Sequence, residues 1–186
     1  MNAPFSTPAK AGAQVRSVGG RAPAFAGVEN RLRAANLVAL LVPAALLGGA
    51  WGFQLIGGYP PCEMCHWQRW PHYAAVPVAA AAFVVPGRAR AALIALAALL
   101  VAASGVVGVL HVGVEQRWWQ GFTACSAPVP LTGATAAERL ESLFAQPVIR
   151  CDAPAWTLFG VSMAGFNALF SLAGSLATLL LLRRAR

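Results

Sequence analysis

Long apolar runs divided by short polar breaks set the pattern of this chain. Leu37 to Ile56 is apolar apart from Gln54, and Ala91 to Val114 is interrupted by Ser104 and His111. A further run spans Thr157 to Leu182. Between the first two lies Trp67 to Val85, whose polar members Gln68, Arg69 and His72 sit at its start. A hydrocarbon core of about 30 Å needs about 20 apolar helical residues to cross it. Four such spans predict an all-α integral membrane protein, a four-helix transmembrane bundle. The first run is too long for the about 7–15 apolar residues of a signal peptide, and more than thirty residues precede it.

Outside the spans the pattern changes. Residues 1–33 are rich in Ala, Gly, Pro and Ser, with scattered positive charge, and read as a disordered cytoplasmic tail. The membrane domain is then 34–182, followed by a basic end at 183–186. The first outer loop is short, roughly Gly57 to Cys65, and the second runs from about Glu115 to Trp156. Within the second, Thr135 and Glu138 have the spacing of a capping box, with Leu140, Leu143 and Phe144 following on one helical face. This predicts a short amphipathic helix, either on the membrane surface or packed on its own loop. Gly48 and Gly52, and the series Gly160, Ala164 and Ala168, have the small-xxx-small spacing that lets helices approach closely, and read as bundle packing.

Composition agrees: 58% of the residues are hydrophobic and 11% charged, far from a soluble protein. The charges orient the bundle. Ten of the fourteen Lys and Arg residues precede the first span, lie at Arg88 and Arg90, or end the chain. By the positive-inside rule these segments, and both termini, are cytoplasmic. The net +8 is therefore a topology signal, and nucleic-acid binding is a poor reading of it.

The candidate chemistry lies on the opposite side. Cys62 and Cys65 form a CxxC at the first outer loop, and Cys125 and Cys151 lie in the second. All four face the compartment where disulfides persist. Structural zinc favours two short-spaced pairs, which Cys125 and Cys151, with 25 residues between them, do not form. A staple explains Cys125–Cys151, worth roughly 3.5 kcal/mol by chain entropy. It explains Cys62–Cys65 poorly, because a CxxC bridge closes almost nothing. A redox pair explains it better. The thiolate is the reactive species, favoured by a helix N-terminus and by cations, and span two begins near the motif with Arg69 four residues after Cys65. Pro71 leaves open a kink or a later helix start. Arg69 also fits a snorkelling anchor. His111 and Glu115, four apart near the outer end of span three, share its depth and are candidates for the same site. Cys62 to His66 also reads CxxCH, so a metal- or haem-binding protein using Cys62, Cys65 and His66 is a rival. A lipid-soluble quinone is the acceptor that best fits a dithiol at the lipid boundary.

Three segments, PCEMCHWQR at 61–69, GFTAC at 121–125 and CDAPAW at 151–156, together with the span order, resemble the disulfide bond formation protein B (DsbB) family of bacterial inner-membrane thiol oxidases. The resemblance spans roughly residues 35–182. It implies a four-helix membrane bundle, a bound ubiquinone or menaquinone, and a periplasmic thioredoxin-fold partner of the DsbA type. It implies that Cys125 receives the partner's thiolate, that Cys151 then attacks the first pair at Cys62, and that Cys65 donates to the quinone beside Arg69. His111 and Glu115 map onto the family's quinone-side polar residues in span three. Gln68 stands where some relatives carry an acidic residue, and no role is assigned to it. Vitamin K epoxide reductase-like proteins use similar parts, but usually carry their CxxC late in the chain.

Overall fold

The computed structural model describes residues 22–121, 123, 134–144 and 149–185. Its elements are α1 (Ala22–Leu55), α2 (Glu63–Ala81), α3 (Gly87–Glu115), α4 (Ala136–Phe144), β1 (Thr157–Leu158), β2 (Val161–Ser162) and α5 (Met163–Arg184). Helices α1, α2, α3 and α5 pack side by side, with α3 against α2 and α5 the most extensive contacts. Residues 26–55 of α1, together with α3 and α5, are long and apolar enough to cross a membrane. Helix α2 is more polar, because Glu63, His66, Gln68, Arg69 and His72 crowd its first half.

Size sorts the side chains. Ala35, Ala39, Ala79, Ala97, Ala98 and Ala164 are buried, whereas Leu41, Leu99, Val106, Leu169, Phe170 and Leu176 are exposed on the bundle's outer surface. Lipid tails are as apolar as leucine, so burying large aliphatics gains little in a membrane. Small residues let backbones approach and gain contact instead. Gly108 shows this directly. A Cβ there would meet Ala168 N at 3.0 Å and Ala164 O at 3.1 Å, so α3 lies against the α5 backbone. Ala164 and Ala168 thus serve the packing expected of them. Gly48 and Gly52 do not, since a Cβ on either would meet nothing within 4 Å.

Three boundaries differ from the sequence pattern. Helix α1 is already formed at Ala22, so 22–33 is helical, while 1–21 lie outside the described residues. One of its early charges ties α1 to α3: Glu29 pairs with Arg33 a turn on within α1 and, at 2.9 Å, with Arg90 of α3. The apolar run beginning at Thr157 starts as a hairpin, and the helix starts only at Met163. Phe159 and Gly160 both have positive φ, 51° and 78°, as a two-residue type I′ turn requires. Gly160 is accordingly a turn residue and takes no part in the small-residue series. Helix α2 runs unbroken through Pro71 and Pro77, so Cys65 and Arg69 occupy one continuous helix.

The capping box is present. Glu138 N donates to Thr135 Oγ1 at 3.2 Å, and Thr135 N donates to Glu138 Oε2 at 3.0 Å. The Thr135 and Ala134 N–H groups, both donating to Oε2, hold the Glu138 carboxyl below the usual carboxylate range. Leu140 and Phe144 on α4 are exposed.

Candidate functional site

Cys62 is the N-cap of α2, where its extended backbone lets the sulfur accept from Cys65 N at 3.3 Å. The helix N-terminus therefore faces the sulfurs, as the CxxC placement predicts. Cys62 and Cys65 are free thiols, with Cys62 Sγ donating to Cys65 Sγ across 2.9 Å. Cys151 is in a disulfide. Cys125 lies outside the described residues.

The long second loop returns Cys151 to the CxxC. Cys62, Met64, Val114 and Cys151 form one buried cluster, with Cys65 and Ile149 packed against it. The Cys62 sulfur, the Cys151 sulfur and a ring nitrogen of His111 all lie within 4.8 Å of one another. Such a trio is close enough to share a metal ion. A disulfide sulfur is no thiolate, however, and thiolate is the metal-binding form of cysteine. The trio also omits Cys65 and His66, and His66 is exposed, so the constellation of the metal and haem rival is not assembled here.

Arg69 is 8% exposed and turns into the bundle rather than out to headgroups. It donates to Gln54 Oε1 at 2.6 Å and to the Ala50 carbonyl at 3.2 Å, with its guanidinium 5.7 Å from the centre of the Trp51 ring. His111 is buried, with Nε2 3.7 Å from Cys62 Sγ and 3.8 Å from Glu115 Oε1. Glu115 also accepts a short hydrogen bond from Ser162 Oγ, which at the same time caps α5 by accepting from Gly165 N. One serine thus joins the end of α3 to the start of α5.

A cavity of about 680 Å³ connects these groups, lined by Cys62, Cys65, Arg69, His111 and Glu115 together with one face of α1. That volume is in the usual range for small-molecule sites, about 300–1,000 Å³. An aromatic series borders it: Phe53 lies 4.9 Å from Trp156, and Trp156 lies 6.2 Å from Phe166. The structure therefore brings together every proposed site residue that it describes.

It also adds residues to which the sequence pattern attaches no role. Gln68, His72, Ser104, Asn167 and Ser171 form a hydrogen-bonded network across α2, α3 and α5, beginning at His111. Gln54 is a further addition, as the partner of Arg69. Gln54, Ser104, Asn167 and Ser171 are single polar residues in apolar runs, whereas Gln68 and His72 belong to the polar start of α2. That was the one available signal, since intramembrane polar residues find one another.

A free dithiol beside a buried cysteine already in a disulfide, on a scaffold with three helices able to cross a membrane, has the parts of a membrane oxidoreductase of thiol–disulfide chemistry. Residues 32–181 match the sequence model of the family described as disulfide bond formation protein DsbB, and the chain belongs to that family. It is also similar to the uncharacterized protein RP370 of Rickettsia prowazekii (strain Madrid E), with 24% identity over 145 residues, covering 77% of this chain and 84% of the relative. No solved structure matches.

Proposed function

We propose that this protein reoxidises a periplasmic thioredoxin-fold dithiol protein of the DsbA type and passes the electrons to a membrane quinone. Helix α2 is the fourth crossing, both termini are cytoplasmic, and the cysteine loops face the periplasm of a bacterial inner membrane. The observation that carries this reading is the approach of Cys151 to Cys62, which joins the two cysteine loops at the wall of one cavity.

Cys125–Cys151 is the entry disulfide. A partner thiolate attacks Cys125, the Cys125–Cys151 bond breaks, and Cys151 leaves as a thiolate. The partner's second thiolate then resolves the mixed disulfide and leaves oxidised. Cys151 is next to Cys62, so in the oxidised first pair its thiolate attacks Cys62 and expels Cys65. Cys125 then attacks Cys151, which restores the entry disulfide and leaves Cys62 and Cys65 reduced. Each exchange breaks one S–S bond and forms one.

The cavity fits a quinone headgroup. It offers the Arg69 guanidinium as a cationic donor, Cys65 and His111 on the same wall, and an apolar α1 face with Phe53 and Trp156 beside it. Ubiquinone or menaquinone supplies a sink for the two electrons and two protons released as Cys62 and Cys65 become a disulfide. The Arg69–Gln54 bond fixes where that positive charge sits. Glu115 and His111 hold polar atoms at the same depth.

The test is dithiol-driven quinone reduction by the purified protein, using a reduced thioredoxin-fold oxidant as donor. Stoichiometric quinol formation that requires all four cysteines is expected. Quinol formation that persists without Cys125 and Cys151 overturns the relay.

A further inference from the structure

The network behind His111 has a direction, fixed by two backbone carbonyls that can only accept. Gln68 Nε2 lies 3.1 Å from Met64 O, so the NH₂ end of that amide is settled. Its other hydrogen faces His111 Nδ1 at 2.8 Å, and its Oε1 receives Asn167 Nδ2 at 2.9 Å. Asn167 Nδ2 is settled in turn by Ser104 O at 3.3 Å. Asn167 Oδ1 therefore faces His72 Nε2 at 3.0 Å, as well as the Ser171 hydroxyl that donates to it. The Ser104 hydroxyl, also beside His72 Nε2, gives its hydrogen to Gln68 O at 2.7 Å.

Two tautomers follow. His72 Nε2 is surrounded by acceptors and carries the hydrogen. His111 Nδ1 accepts from Gln68, so the hydrogen of the neutral ring is on Nε2, which Cys62 Sγ at 3.7 Å shares with Glu115 Oε1 at 3.8 Å and the Cys151 backbone. A second hydrogen on Nδ1 would confront the Gln68 N–H, so the network opposes the imidazolium. Every hydrogen then points one way. His72 donates to Asn167, Asn167 to Gln68, Gln68 to His111, His111 to Cys62, and Cys62 to Cys65. Aligned hydrogen bonds polarise one another, most strongly where water is excluded.

We propose that Gln68 and Asn167 are positioning residues that hold His111 in its Nε2–H tautomer and complete a one-way hydrogen-bond chain ending on the Cys65 sulfur, where it favours the thiolate. This rests on the reading of Cys65 as the reactive thiol. Gln68 suits the task because its amide donates to Nδ1. A carboxylate at that position accepts instead and selects the opposite tautomer. The charged groups sharing the cavity with the thiols are Arg69 of α2, Glu115 of α3 and Arg150 ahead of β1.

The test uses the reduced full-length protein without quinone or partner. Histidine ¹⁵N chemical shifts, assigned with a His111→Gln variant, report the tautomer. The expected signal is a neutral His111 ring protonated at Nε2. A ring protonated at Nδ1 in the unaltered protein overturns the chain without need of any other variant. Gln68→Glu should move the hydrogen to Nδ1. Gln68→Glu and Asn167→Asp should each slow iodoacetamide alkylation of Cys65 by about fivefold below its titration midpoint, the worth of one hydrogen bond. Side-chain size is nearly unchanged in both, so a purely packing role leaves the pH profile of alkylation where it was, and that result also overturns the proposal. Failure of quinone reduction with the Nε2–H tautomer intact counts against the functional reading alone.

Discussion

The sulfurs of Cys62 and Cys151 lie within 4.8 Å of each other, although one caps α2 and the other sits in the loop ahead of β1. A disulfide holds its sulfurs about 2.0 Å apart, so the pair must close by no more than about 3 Å to bond the two loops. In a Cys65→Ala/Cys125→Ala protein, mild oxidation should join Cys62 to Cys151. Mapping peptides under non-reducing conditions checks this, and a protein that stays reduced under those conditions places the two sulfurs out of reach.

Arg69 is held by Gln54 and the Ala50 carbonyl of α1, and its charge faces the cavity. Arg69→Ala should raise the apparent quinone KM by about tenfold, as expected for loss of a charged hydrogen-bond donor. Gln54→Leu should shift KM in the same direction by less, since the guanidinium remains but loses its anchor. Unchanged quinone kinetics in both variants, at normal protein levels, reduce Arg69 to a structural tie between α1 and α2.

Gly108 and Gly48 make a matched pair for stability. A methyl group at Gly108 meets the backbone of α5, which cannot yield as a side chain can. Gly108→Ala should therefore cost about 1–3 kcal/mol by overpacking. Gly48→Ala enters open space and should stay within about 0.5 kcal/mol of the parent. Unfolding in detergent micelles measures both, and equal losses would contradict the packing described for α3 and α5.

These comparisons show what was legible in the linear pattern. Apolar length revealed three of the four packed helices, and the fourth was visible as an apolar run whose polar start carries the chemistry. The α4 capping box was readable because all its partners lie within four residues. The hairpin at 157–162 was hidden because its strands are as apolar as the helix that follows, leaving only the left-handed Phe159–Gly160 turn to mark it. Gly48 and Gly160 were misread because a small residue permits close approach without saying whether a neighbour uses it. For the site, CxxCxxxR and the depth of His111 and Glu115 were enough to nominate residues that do converge. Asn167 and His72 were not, because the bond between them exists only where α2 and α5 meet.

The proposed orientation makes a paired prediction in a cysteine-free background. Glu138→Cys on exposed α4 should react with a membrane-impermeant maleimide in intact spheroplasts. Arg88→Cys, in the turn-proximal first residues of α3, should react only after the membrane is opened. The reverse pattern inverts the bundle and places the dithiol away from any periplasmic partner.

The two cysteine pairs should fail differently. If Cys125 is the point of entry, its thiolate in a Cys151→Ala protein can still attack the disulfide of an oxidised partner, and with Cys151 gone only the partner's own second thiolate is left to reverse that bond. A Cys125–partner disulfide should accumulate as a reducible high-mass band, because exchange passes through a mixed disulfide that persists until a second thiolate attacks. Cys62→Ala and Cys65→Ala should each abolish quinone reduction while leaving the entry disulfide and fold in place. The burial of Cys62 and Cys151 in one cluster makes the contrast sharp, since either substitution removes a comparable small volume from the same place. A simple packing defect should therefore affect Cys62→Ala and Cys151→Ala alike. A Cys125–Cys151 bond that only staples its loop predicts lower stability in Cys151→Ala, no trapped partner, and quinone reduction still running at Cys62 and Cys65. That outcome would remove the second loop from the electron path and leave its disulfide a purely structural bond.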